Sequence, residues 1–363
     1  MNIKSKPIAR IGFAAPLTGD QAVVGIPMRQ CAEIAIRRAN SHLDIPFHIV
    51  LEAQDDAAEP GEARSVARCF VKDDSVFGMV GHKNSGPSAA AAPIYAEADL
   101  SQVSPSSTNP ILTRQGHHTF FRLCAHDDLQ GKLAAQFGAR CLFTKRVAII
   151  HDQTDYGAPL AEVVRDTFRE EGTEIILFEG VNVGDTDFNS IVQDVMEKEP
   201  DLVYFALTEI ESSIITKQLR SRGVTSHFLG TDGGHASEFL PLAGGDAEGV
   251  YQTYAGVDPA GIPAAHAFVE EFQSTEGLVP VYGAEVFDAT NLLIRALSEV
   301  GSLDRGKILK VVSDTDAFEG VTGSIRFHTN GERWHPEVSV WRVEHGKMKH
   351  MGSLPEMIGV QEK

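Results

Sequence analysis

Residues 76–113 read VFGMVGHKNSGPSAAAAPIYAEADLSQVSPSSTNPILT, and their order of apolar and punctuating residues decides the fold. The apolar run Val76, Phe77, Met79, Val80 stops at Gly81 and reads as a strand. Ser85 and Ser88 stand where a helix would begin, with Pro87 in its first turn. The Ala-rich run to Tyr95 is strong helix material. A second short strand ends near Val103 and delivers Ser104, Ser106, Ser107 and Thr108 into a loop. Hydroxyls and free backbone N–H groups are therefore expected together at the C-terminal edge of a parallel sheet. Open α/β sheets bind ligands at that edge. Helix N-termini and such loops attract small anions, carboxylates included.

The same alternation extends in both directions. Residues 9–15 read as a strand, followed by a Thr18–Gly19 turn, a long helix over 26–40, a strand over 47–54 and a helix over 61–72. A second block starts at Lys145. It has strands at 147–151, 174–179, 202–207 and 227–230, and helices at 156–171, 187–198 and 211–222. Repeated βαβ units imply parallel sheets with helices on both faces. Each block is long enough to bury its own core, so the expected fold is α/β with two doubly wound parallel-sheet lobes. No short-period repeat is present.

Composition narrows the function. Hydrophobic content of 42% and charged content of 23% are ordinary for a globular chain of 363 residues. With 32 basic and 50 acidic residues the formal charge is −18, which disfavours nucleic acid as a partner. No apolar run approaches a membrane span. The opening MNIKSKPIARIGF has no apolar core of a signal peptide. The four cysteines, Cys31, Cys69, Cys124 and Cys141, form no CxxC pair. Cys31 and Cys69 fall on neighbouring helices, where a disulfide or two buried thiols are both open readings.

Catalytic motifs are missing. There is no GxSxG elbow, HExxH pair, GxGxxG fingerprint or P-loop, and the 14 histidines show no metal-like spacing. The expectation is a protein that is not an enzyme and has no cofactor or metal. Asp55–Asp56 after the second strand reads as a solvated loop or cap pair.

Taken in order, IGFAAPLTGDQAVVG, EAQDDAAEP, VGHKNSGPS, SPSSTNP, VAIIHDQTDYG, DFNSIVQDV, FLGTDGG and FDATNLLIRAL span roughly residues 8–352. In order and spacing the chain resembles the type I periplasmic binding proteins, in particular the leucine/isoleucine/valine-binding group of ABC-transporter receptors. The resemblance implies two lobes joined by three crossovers, near residues 124–126, 252–254 and 327–331. The lobes would be 1–124 plus 253–327 and 125–252 plus 328–363. It implies a solute receptor that captures an amino acid, branched-chain or another small zwitterion, in the interlobe cleft and presents it to a membrane permease. The location would be periplasmic, with the signal peptide removed. The alternative is a cytoplasmic sensor of the same fold that binds an amide or similar solute and regulates a protein partner.

A zwitterion needs donors for its carboxylate and acceptors for its ammonium, since buried charges are tolerated only when paired. By the resemblance, Ser85 and Thr108 hold the carboxylate, the carbonyl of Ser106 accepts from the ammonium, and Asp232 pairs with it. Tyr156 covers the ligand from the second lobe, and Thr208 stands where relatives often carry an aromatic. The plainer readings remain beside these. Ser and Thr favour helix caps and turns, and Asp232 in a Gly-rich loop suits an Asx-turn. Ser104 and Ser107 read as loop residues. Two departures bear on the ligand: Val24 replaces a tyrosine, and Lys83 replaces an apolar residue beside the ligand side chain. A disulfide that some relatives carry has no counterpart here, where Ala57, Ala58 and Asn84 stand instead.

Overall fold

A computed structural model describes residues 6–42, 45–232 and 239–359. The chain opens with β1 (Ile8–Ala15), α1 (Ala22–His42), β2 (His48–Asp55), α2 (Pro60–Lys72), β3 (Val76–Gly81), α3 (Ser85–Glu97), β4 (Ser101–Ser104), α4 (Ile111–Arg114) and β5 (Phe120–Arg122). It continues with α5 (Asp127–Arg140), β6 (Arg146–His151), α6 (Gly157–Glu170), β7 (Glu174–Gly180), α7 (Asn189–Lys198), β8 (Leu202–Ala206), α8 (Glu209–Ser221), β9 (His227–Gly230), α9 (Phe239–Ala243) and β10 (Tyr251–Tyr254). Then come α10 (His266–Thr275), α11 (Gly283–Val300), α12 (Arg305–Ser313), β11 (Phe318–Gly320), β12 (Gly323–Ile325), β13 (Ser339–Glu344), β14 (Lys347–Ser353) and α13 (Leu354–Met357).

The chain forms two compact units. The first comprises Met1–Cys124 and Pro259–Pro336, the second Ala125–Asp258 and Glu337–Lys363. Two of the passages lie later than the sequence placed them. β10 pairs in parallel with β9 and antiparallel with β13, and Ser339 Oγ donates to Gly256 O, so residues 251–258 stay with the second unit. Residues 331–333 are held by the first: Gly331 O accepts from Arg122 N–H, and Arg333 Nη1 donates to Leu123 O. Gly331 has φ +86°, and a Cβ there would lie 2.0 Å from Phe120 O, so only glycine permits this approach.

The first unit's sheet has the order β2-β1-β3-β4-β5 and is parallel throughout, with Ile11 opposite Leu51 and Gly78, and Val80 opposite Val103. α2 buries Ala63, Val66, Ala67 and Phe70, one stripe at helical spacing, against this sheet and α3. α11 is buried along most of its length and packs on α1 and α12, so the segment after the second passage completes this unit's core. α1 starts four residues before the expected position 26. Pro27 lies inside it, giving up one backbone bond instead of opening the helix.

The second unit's sheet runs β14-β13-β10-β9-β8-β6-β7. Strands β7, β6, β8, β9 and β10 are parallel, but β13 and β14 add an antiparallel edge to a sheet expected to be wholly parallel. They join through His345 (φ 54°) and Gly346 (φ 71°), a two-residue turn that suits hairpin twist. Ile150, Val203, Phe205, Phe228 and Val343 lie in its core cluster. All four cysteines are free thiols; Cys31 is buried and Cys69 exposed, so they form no bridge.

Candidate functional site

The first unit presents a set of donors at the C-terminal edge of its sheet. Asn84, in an extended conformation, precedes α3, so the first N–H groups of that helix have no intrahelical partner. Those of Ser85 and Gly86 have none elsewhere among the described residues, whereas Ser88 N–H reaches Asn84 O at 3.0 Å. Ser85 Oγ, 6% exposed, accepts from Asn109 N–H at 3.2 Å and keeps its own proton to donate. Thr108 is 1% exposed, and neither its N–H nor its hydroxyl has a partner among the described residues. The bond between Ser85 Oγ and Asn109 N–H ties the two loops together, so Ser85 and Thr108 belong to one cluster.

Ser106 is tied to the neighbouring loop through its side chain. Its hydroxyl donates to Lys83 O at 2.9 Å. Its carbonyl has no partner among the described residues and keeps its capacity to accept. Ser104 and Ser107 are loop ties, both donating to His82 O, at 3.2 and 3.0 Å.

Two residues that the sequence reading missed hold this edge. His82 is fully buried, its Nδ1 2.7 Å from Asp56 Oδ2 and its Nε2 3.1 Å from Tyr95 Oη. Burial pushes the Tyr95 phenol well above its usual range, so it stays neutral. His82 Nδ1–H donates to Asp56, and its Nε2 shares a hydrogen bond with the Tyr95 hydroxyl. Asp56 is thus a buried partner of His82, not part of a solvated acidic pair; Asp55 caps the loop after β1, accepting from Leu17 N–H at 2.8 Å. Arg122 is also fully buried. Nη1 donates to Ser107 O and Asn109 O, both at 2.9 Å, and the guanidinium pairs with Glu332. Because a trans peptide points its C=O and N–H in opposite directions, the bond to Ser107 O turns Thr108 N–H away from the guanidinium.

The second unit presents acceptors. Asp232 stands two residues after the end of β9 and is 7% exposed. Its Oδ1 accepts from Gln130 Nε2 at 2.7 Å and from Tyr156 Oη at 3.1 Å. Tyr156 immediately precedes α6, after β6, so the strand order of this sheet brings the two residues to the same edge. Burial first, then the Asp232 carboxylate, holds the Tyr156 phenol well above its ordinary range. It stays a neutral donor at any physiological pH. Gln130, from α5, also donates to Thr253 Oγ1 at 3.0 Å, and that hydroxyl donates to Gly230 O at 3.3 Å. This orients the amide and leaves Gln130 Oε1 buried without a partner among the described residues. An acidic oxygen beside an open amide oxygen is suited to an ammonium. Gln130 and Thr253 carry no motif; only their position identifies them. Tyr156→Phe removes one hydrogen bond to the carboxylate. It is expected to weaken binding of the preferred amino acid by about fivefold to fifteenfold in calorimetry, from about 1–1.5 kcal/mol for such a bond.

Thr208 lies apart from this cluster in its contacts: it precedes α8 and its hydroxyl bonds to Glu211. Gly233 and Gly234 of the FLGTDGG motif lie outside the described residues. Val24 is a core residue of α1, 4% exposed. Among the described residues no group of three His, Cys, Asp or Glu could hold a metal ion, and no helix is long and apolar enough to cross a membrane.

Comparison with known proteins places this architecture. A family model described as periplasmic binding protein matches residues 9–347. The chain is 32% identical over 337 residues to the Leu/Ile/Val-binding protein homolog 1 of Brucella suis, covering 93% of this chain and 90% of that relative. The crystal structure of a leucine-binding protein, LivK, from Thermotoga maritima superposes with a TM-score of 0.88 at 29% identity, covering 95% of this chain and 98% of the other. The branched-chain amino acid transporter substrate-binding protein LivJ from Streptococcus pneumoniae, solved with isoleucine, has a TM-score of 0.87 at 26% identity, with 95% and 98% covered.

Proposed function

The chain belongs to the periplasmic binding protein family, and from that premise we propose that it is the solute-binding receptor of an ABC transporter that captures an amino acid. One observation carries the reading: the two units offer opposite halves of what a zwitterion requires. The first offers the N–H groups of Ser85, Gly86 and Thr108 with two hydroxyls. These suit a carboxylate, which only accepts. The second offers Asp232 and Gln130 Oε1, which suit an ammonium, which only donates. In this reading Ser85 and Thr108 bind the carboxylate, Ser106 O and Asp232 bind the ammonium, and Tyr156 and Gln130 orient Asp232. Thr208, bonded to Glu211, stands outside this set of contacts.

Relatives support the class of ligand. One is named for leucine, isoleucine and valine, and the LivJ structure contains isoleucine. The family consists of substrate-binding proteins, which favours binding over turnover. The implied partner is a membrane permease, and the implied location is outside the cytoplasmic membrane, where such receptors meet their solutes.

A thermal-shift screen over L-amino acids tests the proposal. A ligand at a hundredfold excess over its Kd stabilises the native state by about 2.7 kcal/mol. At least one free amino acid is expected to raise Tm by several degrees. Its N-acetyl and carboxamide derivatives, which lack one charge each, are expected to leave Tm unchanged. Equal shifts from free and blocked forms would refute recognition of the zwitterion.

A further inference from the structure

Gln21, Lys83 and Asn84 stand at the same sheet edge as the donor set of the first unit. The strand order β2-β1-β3-β4-β5 reverses direction at β1. The loops after β1 and after β3 therefore flank the topological switch point, where sheets of this kind take ligands. Gln21 belongs to the first loop, Lys83 and Asn84 to the second, and they meet across it. Lys83 Nζ donates to Gln21 Oε1 at 2.9 Å, and Asn84 Nδ2 donates to the same oxygen at 3.0 Å.

These two bonds orient both amides. Gln21 must turn its oxygen toward Lys83, because the reversed amide would set N–H groups against an ammonium. Asn84 must then turn its nitrogen toward Gln21. Asn84 Oδ1 is left buried, with no partner among the described residues. Lys83 is also anomalous. It is partly buried, in a chain with 50 acidic residues, yet no carboxylate lies within ion-pair distance of its ammonium among the described residues. One of its three donors is used. A half-buried cation without a counter-charge and a buried amide oxygen without a donor, on adjacent residues, are both costly to maintain.

We infer that the captured amino acid carries a side-chain carboxamide, of the glutamine or asparagine class, whose C=O accepts from Lys83 Nζ and whose NH₂ donates to Asn84 Oδ1. A carboxamide holds an acceptor and a donor side by side. A side-chain carboxylate would satisfy Lys83 but oppose Asn84 Oδ1, and an alkyl side chain would satisfy neither. This assignment rests on the reading of the site as one for an amino acid. It departs from the relative named for leucine, isoleucine and valine and from the LivJ structure, whose bound ligand is isoleucine.

Calorimetry on the full chain with L-glutamine, L-asparagine, L-glutamate and L-leucine tests it, alongside Lys83→Met and Gln21→Glu. One carboxamide is expected to bind at least tenfold tighter than glutamate and leucine. Lys83→Met is expected to reduce that affinity at least tenfold while raising the affinity for leucine. Gln21→Glu keeps every side chain in place but ties the ammonium into an ion pair, so it is expected to narrow the preference as well. Leucine or glutamate binding tighter than both carboxamides would overturn the inference. So would a Lys83→Met protein that loses all four ligands equally, since Lys83 would then serve the shared α-carboxylate. Absence of binding by any α-amino acid would overturn the amino-acid reading itself, and this inference with it.

Discussion

Asp232→Ala is expected to weaken amino-acid binding by about a hundredfold to a few thousandfold. Removing one partner of a buried charge pair costs about 3–5 kcal/mol, and each 1.4 kcal/mol is tenfold in affinity. Asp232 is 7% exposed and already accepts from Gln130 and Tyr156, so its carboxylate is held before any ligand arrives. Its loss removes the carboxylate that this reading pairs with the ligand ammonium. The fold should survive, because Gln130 Nε2 retains Thr253 Oγ1 as a partner. Asp232→Asn separates charge from shape: its amide oxygen can still accept from both Gln130 and Tyr156, which share Oδ1, but it carries no negative charge. Calorimetry that finds the wild-type Kd in Asp232→Ala would remove this residue from the site.

Arg122→Met is expected to lower Tm by about 6–20 °C. Here too a buried pair loses one member, at about 3–5 kcal/mol, and a unit of some two hundred residues shifts by about 2–4 °C per kcal/mol. The guanidinium is fully buried, pairs with Glu332 and holds the carbonyls of Ser107 and Asn109. Without it Ser107 O loses the Arg122 donor, Asn109 O is left with Leu112 N–H, and the Glu332 carboxylate loses the guanidinium charge. The double variant Arg122→Met/Glu332→Gln should recover a substantial part of the lost stability, since no uncompensated charge remains. Binding should remain impaired in both variants, because the orientation of Thr108 N–H depends on the Ser107 peptide. A double variant with full stability and full affinity would show that Arg122 acts on the fold alone.

The βαβ alternation was readable because each element carries its own signal. The stripe Ala63, Val66, Ala67, Phe70 is helical by spacing, and the run Leu202–Ala206 is a buried strand by composition. The antiparallel edge was not read. β14 is largely exposed, and the partner of β13, β10, lies some ninety residues earlier. The later passages between units escaped for a similar reason. Pairing of β10 with β13, the hold of Arg122 on Gly331 and Glu332, and the bond from Arg333 to Leu123 O depend on partners distant in sequence.

The candidate site divides in the same way. Ser85, Thr108, Tyr156 and Asp232 follow strands or open helices, so their arrival at a sheet edge follows from local order alone. Gln130, Thr253, His82 and Arg122 have no such mark. A glutamine within a helix or an arginine ending a strand acquires meaning only from what faces it. The sequence by itself determined the α/β class, the two blocks and the loops that reach the sheet edges, because periodicity and turn chemistry act over a few residues. Tertiary structure alone decided which carbonyls Arg122 grips, that Asp56 is buried against His82, and that Lys83 and Asn84 share one oxygen of Gln21. Those outcomes depend on side chains tens to hundreds of residues apart competing for the same partners, and no local pattern records that competition.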